Sequence, residues 1–269
     1  MNSDTPAIGH PVIDLSGRTA LVTGASRGIG RATAIRLAQA GADVIINYVT
    51  SQSAAREVAD VVAGLGCRAA TVKADMSEPE DIASMLDFVG QEFGRLDILV
   101  SNAASGGFRS LLDATPKHFD AAMKTNAQSL MLLAQAARPW LDAAGKQSDA
   151  RRKIIALSSH GSHRALPAYG LIGASKAAVE SLVRHLALEL GNSGVNVNVL
   201  LAGLVETDST QNFPGAEQAF AAVAARRLVS GQPLSAEAVA DTVLFLASPL
   251  SDLIQGQTIV VDGGEALHG

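Results

Sequence analysis

Short apolar runs rich in β-branched residues alternate with helix-like segments along almost the entire chain, and that alternation leaves few folds open. Strands are read at 19–23, 44–48, 69–73, 98–100, 154–157, 195–200 and 258–261. Helices are read between them at 31–40, 52–65, 79–93, 119–141 and 174–190, with one more at 236–247. Strands with little polar alternation are those buried on both faces, and strand–helix–strand units close with right-handed crossovers. The expected fold class is therefore α/β: a three-layer, doubly wound parallel sheet with helices on both faces, forming a single domain over 1–269. Residues 1–16 are read as an N-terminal tail and 142–153 as a polar surface loop. The stretch 208–227 is the least regular long segment and is a candidate substrate lid.

Composition narrows the function. Hydrophobic residues make up 48% and charged residues 17% of the 269, enough apolar material for a large core. A net charge of −5 offers no basic surface for nucleic acid or an anionic membrane. No stretch approaches the roughly 18 apolar residues of a membrane span. The first thirteen residues lack a secretory leader pattern, so the expected location is the cytoplasm. Cys67 is the single cysteine, which excludes an intrachain disulfide and fits a reducing compartment.

The first strand runs into Thr23-Gly24-Ala25-Ser26-Arg27-Gly28-Ile29-Gly30. Glycines between a first strand and a first helix let a pyrophosphate approach the backbone, and the helix N-terminus favours the anion. A dinucleotide site on a Rossmann-like sheet is the reading. The second strand ends Ile46-Asn47-Tyr48, without the acid that binds an NAD ribose. Arg27, inside the turn, can meet a 2′-phosphate, and Thr50, Ser51 and Ser53 add hydroxyls. These features favour NADPH over NADH.

Together these residues resemble the short-chain dehydrogenase/reductase family, from Asp14-Leu15-Ser16-Gly17 to Asp262-Gly263-Gly264. The turn matches the family's TGxxxGxG, and Asn102-Ala103-Ala104 stands at its NAG. The resemblance implies cofactor contacts from Gly24, Ser26, Arg27, Gly28, Ile29, Gly30, Asn47, Tyr48 and Ser51. It implies further contacts from Asp75, Met76, Asn102, Ala103, Ala104, Gly203, Val205 and Thr207, with Tyr169 and Lys176 at the nicotinamide end. Asn126 falls at the family's structural and proton-relay asparagine, and Ser159 at its catalytic serine. Gly203–Thr207 is similar to the segment that closes on the nicotinamide, with Ala202 where the family has proline.

One departure is more informative than the matches. The family pattern is Tyr-x-x-x-Lys, yet the residue four before Lys176 is Ile172, which has no proton to give. Tyr169 lies seven before it, a spacing similar to that of enoyl-thioester reductases of the superfamily. The segments around 102–106, 158–164 and 173–176 resemble the third type of bacterial enoyl-acyl-carrier-protein reductase. Positions i and i+7 share a helix face two turns apart, provided the helix reaches back to Tyr169. Moving the donor back three residues displaces it by roughly 4.5 Å along the axis. A ketone takes hydride and proton on adjacent atoms. A 2-enoyl thioester takes hydride at the β-carbon and collects charge on a more distant oxygen, which a displaced donor suits.

The expected activity is NADPH-dependent reduction of an enoyl thioester, on acyl-carrier protein or coenzyme A, in fatty-acid or polyketide-type biosynthesis. Tyr169 is expected to stabilise the enolate and Lys176 to hold the ribose and supply positive charge. Ser159 has two readings, a ligand of the substrate oxygen or a cap of strand-end backbone. Two alternative functions are a carbonyl reductase or alcohol dehydrogenase of the same family, and a non-catalytic NADP-binding regulator. His160 and His163 lack the cysteines or clustered acids of a metal site, so no metal is expected. The run Arg151-Arg152-Lys153 is read as a solvated basic face, with docking of an acidic carrier as the alternative, a role open also to Arg226-Arg227. The helices at 119–141 and 174–190 are apolar enough to form a homodimer or homotetramer, the states common in the family.

Overall fold

The computed structural model describes residues 13–147, 150–207, 210–211, 215–229 and 234–267. Seven parallel strands form one sheet in the order β3-β2-β1-β4-β5-β6-β7. They are β1 (Thr19–Val22), β2 (Asp43–Tyr48), β3 (Ala69–Lys73), β4 (Ile98–Ser101), β5 (Arg152–Ser159), β6 (Val195–Ala202) and β7 (Thr258–Val261). The chain winds outward from β1 to β3, then returns to place β4 on the other side of β1. That reversal opens a crevice at the carboxyl ends of β1 and β4, where doubly wound sheets bind ligands.

Period-two alternation sorts each strand between two cores. On β1, Ala20 and Val22 face one core, with Leu37, Val239 and Val243. Leu21 faces the other, with Met85, Leu130 and Val183. The helices follow: α1 (Gly28–Gln39) and α2 (Gln52–Gly64) contribute to the first core with α8 (Ala236–Ala247). The second core takes α3 (Pro79–Phe93), α5 (Ser129–Gln147) and α6 (Gly170–Leu190). Among the described residues no helix is long and apolar enough to cross a membrane.

The structure revises four readings. The helix expected at 119–141 is a longer composite: α4 (Pro116–Met123), a π-helical turn at Lys124–Gln128, then α5. Pro116 at the first helical position and the Thr115/His118 capping box start it earlier, and Pro139 does not end it. The expected loop at 142–153 is therefore mostly absent: α5 runs to Gln147, and β5 starts at Arg152. Nor is the basic run a solvated or docking face, because Arg152 is buried and Lys153 is 1% exposed. Lys153 Nζ donates to Asp252 Oδ1 at 2.6 Å and to Asn196 and Ser251 at 3.1 Å.

The tail reading also fails at its inner end. Leu15 is fully buried, and its N–H donates to Ala40 O at 2.7 Å. Residues 1–12 lie outside the described residues. Within the candidate lid, positions 208–209 and 212–214 also lie outside them, while Gly215, at φ +83°, leads into α7 (Ala216–Arg226).

Candidate active site

The crevice begins at the glycine turn. Gly24 and Gly28 adopt φ +62° and +55°, a conformation that side chains resist. A Cβ on Gly30 would collide with Gly24 O and Asn102 Nδ2, and one on Gly28 would press Thr207 at 3.4 Å. Arg27, the N-cap of α1, makes no side-chain capping bond among the described residues, and the first residues of α1, Gly28 and Ile29, line the cleft. The turn thus fits a pyrophosphate: Gly24 and Gly28 hold a backbone shape that side chains resist, and Gly30 leaves no room for one.

Two asparagines brace this cradle from behind. Asn47 is fully buried; its Oδ1 accepts from Gly24 N–H at 3.0 Å while its Nδ2 donates to Ala74 O at 3.0 Å. Asn102 Nδ2 donates to Thr23 O at 2.9 Å and Gly24 O at 3.2 Å. The 820 Å³ cleft in front is lined by Gly24, Ser26, Arg27, Gly28, Ile29, Tyr48, Ser51, Asp75, Met76, Asn102, Ala103, Ala104 and Thr207, as the sequence leads one to expect. Asn47, Gly30, Gly203 and Val205 are not in its wall, and neither are Tyr169, which lines a separate pocket, and Lys176. Asn47 spends its amide on backbone, Gly30 makes room for Asn102, and Val205 is a buried core residue. Gly203 lies directly against Asp262 and Glu265.

The cleft also has a wall that sequence reasoning missed, formed by Lys117, Asp120, Ala121, Lys124 and Thr125. The spacing 117, 120, 121, 124 is one helix face, legible had the helix been started at Pro116.

The catalytic end lies at the ends of β5 and α6. Tyr169 is the N-cap of α6, and its carbonyl accepts the first helical bond from Gly173 N–H at 2.8 Å. The helix itself begins at Gly170, so Tyr169 stands at its cap and not within its first turn. Tyr169 Oη and Ser159 Oγ are 3.0 Å apart. Burial pushes the phenol pKa up, with the Ser159 bond opposing, so it stays protonated and able to donate. Ser158 points elsewhere, donating to Glu180 Oε1 at 2.6 Å. Ser159 is therefore the serine that meets the tyrosine.

Lys176 is buried, and its Nζ donates to Leu157 O at 2.7 Å. Burial lowers its pKa from 10.5 to about 8. Ile172 is also buried, pressed against Gly106, so the usual donor position is plugged by an apolar side chain.

Asn126 sits in the π-helical turn with both N–H groups of its amide used. Oδ1 accepts from Ser105 N–H at 2.8 Å, while Nδ2 donates to Ser105 O at 2.9 Å and Ser175 Oγ at 2.8 Å. It ties the loop after β4 to α6, which is the structural part of the role expected of it. His160 pairs with Asp262, and among the described residues no cluster of His, Cys, Asp and Glu could hold a metal.

The sequence model described as Enoyl-(Acyl carrier protein) reductase matches residues 24–265. The chain belongs to the short-chain dehydrogenase/reductase family. It is 38% identical over 253 residues to 1-cyclohexenylcarbonyl-CoA reductase of Streptomyces collinus, covering 92% of this chain and 86% of that one. It is 34% identical over 262 residues to a versicolorin reductase of Emericella nidulans, covering 93% and 96%. Among solved structures it resembles a Burkholderia cenocepacia short chain dehydrogenase in complex with NADP: TM-score 0.83, 34% identity, 93% and 98% coverage. It also resembles 7 alpha-hydroxysteroid dehydrogenase complexed with NADH and 7-oxo glycochenodeoxycholic acid: TM-score 0.85, 29% identity, 94% and 96% coverage. This short-chain dehydrogenase/reductase is thus an oxidoreductase of a nicotinamide-binding fold.

Proposed function

We propose that the protein reduces the 2,3-double bond of an enoyl thioester with NADPH. The observation that carries this reading is the displaced donor: Tyr169 reaches Ser159 from the helix cap, while Ile172 blocks the position three residues later. When bound, the reduced nicotinamide supplies a hydride to the β-carbon. Gly24, Gly28 and the N-terminal end of α1 would hold the pyrophosphate, and Lys176 would hold the ribose. The absence of an acid at the end of β2, with Arg27 in the cleft, favours a 2′-phosphate.

Negative charge then collects on the thioester oxygen. The Tyr169 O–H donates to that oxygen, Ser159 orients the phenol from 3.0 Å, and the enolate then takes a proton at the α-carbon, from Tyr169 or from water. The Lys176 cation lowers the energy of the same charge from within the protein. Carbonyl reduction is the second reading, favoured by the names of the versicolorin and hydroxysteroid relatives.

The deciding experiment follows NADPH oxidation with crotonyl and acetoacetyl thioesters side by side, in wild type and Tyr169→Phe. The expected result is turnover of the enoyl substrate, lowered about 10²–10³-fold in the variant, as for loss of one oxyanion donor. Turnover of the keto substrate alone would replace this reading with the second. Tight NADPH binding without turnover of either would favour a regulator.

A further inference from the structure

Behind the nicotinamide end lies a buried charge cluster that the proposed chemistry does not use. His160, the residue after Ser159, is 8% exposed, and its Nε2 lies 2.9 Å from Asp262 Oδ2 and 3.9 Å from Glu265 Oε1. Asp262 and Glu265 follow β7 and are themselves 7% and 6% exposed. Asp262 also accepts from Gly264 N–H at 2.8 Å and Ala266 N–H at 3.2 Å, which folds the hairpin on which Glu265 sits. Glu265 Oε1 accepts from Leu204 N–H at 3.3 Å, and Arg227, just past α7, approaches Oε2 at 3.7 Å.

The cluster therefore joins four segments: the end of β5, the Gly203–Thr207 segment after β6, the end of α7, and the hairpin after β7. Two of these reach the reaction site. Ser159 touches Tyr169, and Thr207 lines the cofactor cleft against Gly28. Gly203 has no room for a side chain because the Asp262–Glu265 hairpin packs on it. Ala202, where the family has proline, leaves the segment without a fixed φ. Its rigidity comes from Gly203 N–H donating to Val261 O at 2.9 Å and from the Glu265 anchor.

We propose that His160 is a positioning residue, which through Asp262 and Glu265 locks the Gly203–Thr207 segment over the cofactor cleft in register with Ser159. The charge arrangement explains why a histidine stands here. The two buried carboxylates repel one another, with Arg227 and Arg226 acting on Glu265, so a neutral N–H donor toward Asp262 relieves that repulsion without adding a further buried cation. His160 Nδ1 has no hydrogen-bond partner among the described residues, so a proton there would be a buried donor without an acceptor. Burial accordingly lowers the His160 pKa, against the pull of Asp262, while His163 and Arg164 lower it further. His163 packs edge-on at 5.4 Å between ring centroids. Burial likewise raises the Glu265 pKa, opposed by the Leu204 N–H and by Arg227.

The test compares full-length wild type, His160→Ala, His160→Gln and Glu265→Gln. It uses amide exchange of the 203–207 peptide without cofactor, and NADPH affinity by fluorescence titration. Glutamine retains an N–H at the reach of Nε2. The expected result for His160→Ala is faster exchange at Leu204 and NADPH affinity weaker by about fivefold, the size of coupling within one buried network. His160→Gln is expected to restore both to within about twofold. Glu265→Gln, which keeps the acceptor for Leu204 but loses the charge, is expected to fall between them. Unchanged exchange and affinity in His160→Ala would overturn the proposal. So would a fall in melting temperature that glutamine does not rescue, which would make His160 a packing residue only.

Discussion

Two walls of the site, one lining the cofactor cleft and one beside it around Tyr169, are built on opposite principles. The wall at β1 and α1 is made by leaving side chains out: Gly24, Gly28 and Gly30 clear space so that backbone amides face the ligand. The wall at β5 and α6 is made by taking polar side chains out of water: Tyr169, Lys176, His160 and Asn126 are each buried or nearly so and held by distant partners. The first wall is fixed by sterics and insensitive to pH. The second depends on protonation states and on contacts between residues far apart in sequence.

The largest expected contrast comes from filling the first wall. In Gly30→Ala the new Cβ meets Gly24 O and the Asn102 amide, backbone and a braced side chain that cannot simply swing away. Overpacking of this kind costs about 1–3 kcal/mol. The expected outcome is a lower melting temperature and NADPH affinity weakened by about tenfold or more. Neither effect should vary between pH 6 and 9, to order of magnitude, because no titrating group is touched. A variant that binds NADPH as wild type would show that the turn does not cradle the pyrophosphate.

The second wall should respond to pH instead. Lys176 has its pKa lowered from 10.5 to about 8 by burial. In the cofactor-free protein its cation is present below pH 8 and lost as pH rises through it. NADPH affinity is therefore expected to fall toward high pH with an apparent pKa near 8, and Lys176→Met should flatten that profile. Stability moves the other way. Between about pH 8 and 10.5 the unfolded chain holds this proton and the folded chain does not, so this group's contribution to stability rises with pH over that window. Affinity and thermal melts measured on the same pH series separate the two trends. A flat affinity profile in wild type would remove Lys176 from the cofactor site.

The same division decides what was legible in the sequence. The sheet, its parallel order and the glycine turn could be read because buried strands and Cβ-free positions leave residue-type signatures. Tyr169 and Ser159 could each be singled out from spacing and resemblance, but their meeting could not be anticipated, since Ser159 read equally well as a substrate ligand or a backbone cap. The burial of Arg152 and Lys153 could not, since their partners Ser193, Asp252 and Asn196 lie far along the chain. Nor could the inward turn of Asn47, which occupies a strand end where a ribose contact was equally reasonable. The bracing of Asn126 emerges only once Ser105 and Ser175 converge on it.

The smallest expected effect tests how tightly the second wall holds its donor. Tyr169 N–H donates to Leu166 O at 3.2 Å, closing a turn with Pro167 second and Ala168 third. Ala168 has φ +58°, the one non-glycine in this region among the described residues. Proline followed by a left-handed residue is the pattern of a type II turn, where glycine is the usual third residue. The left-handed region costs alanine about 1–2 kcal/mol. Glycine returns roughly half of that through the greater freedom of the unfolded chain. Ala168→Gly is thus expected to stabilise the protein by about 0.5–1 kcal/mol, a rise of roughly 2 °C in melting temperature. Arg109 N–H, which donates to Ala168 O at 2.8 Å, keeps the turn in place in either case. If that bond and the Ser159 contact position the phenol, turnover should change by no more than about twofold. A larger loss of turnover alongside the gain in stability would mean that the alanine itself restricts Tyr169, with strain retained in the turn to aim the donor.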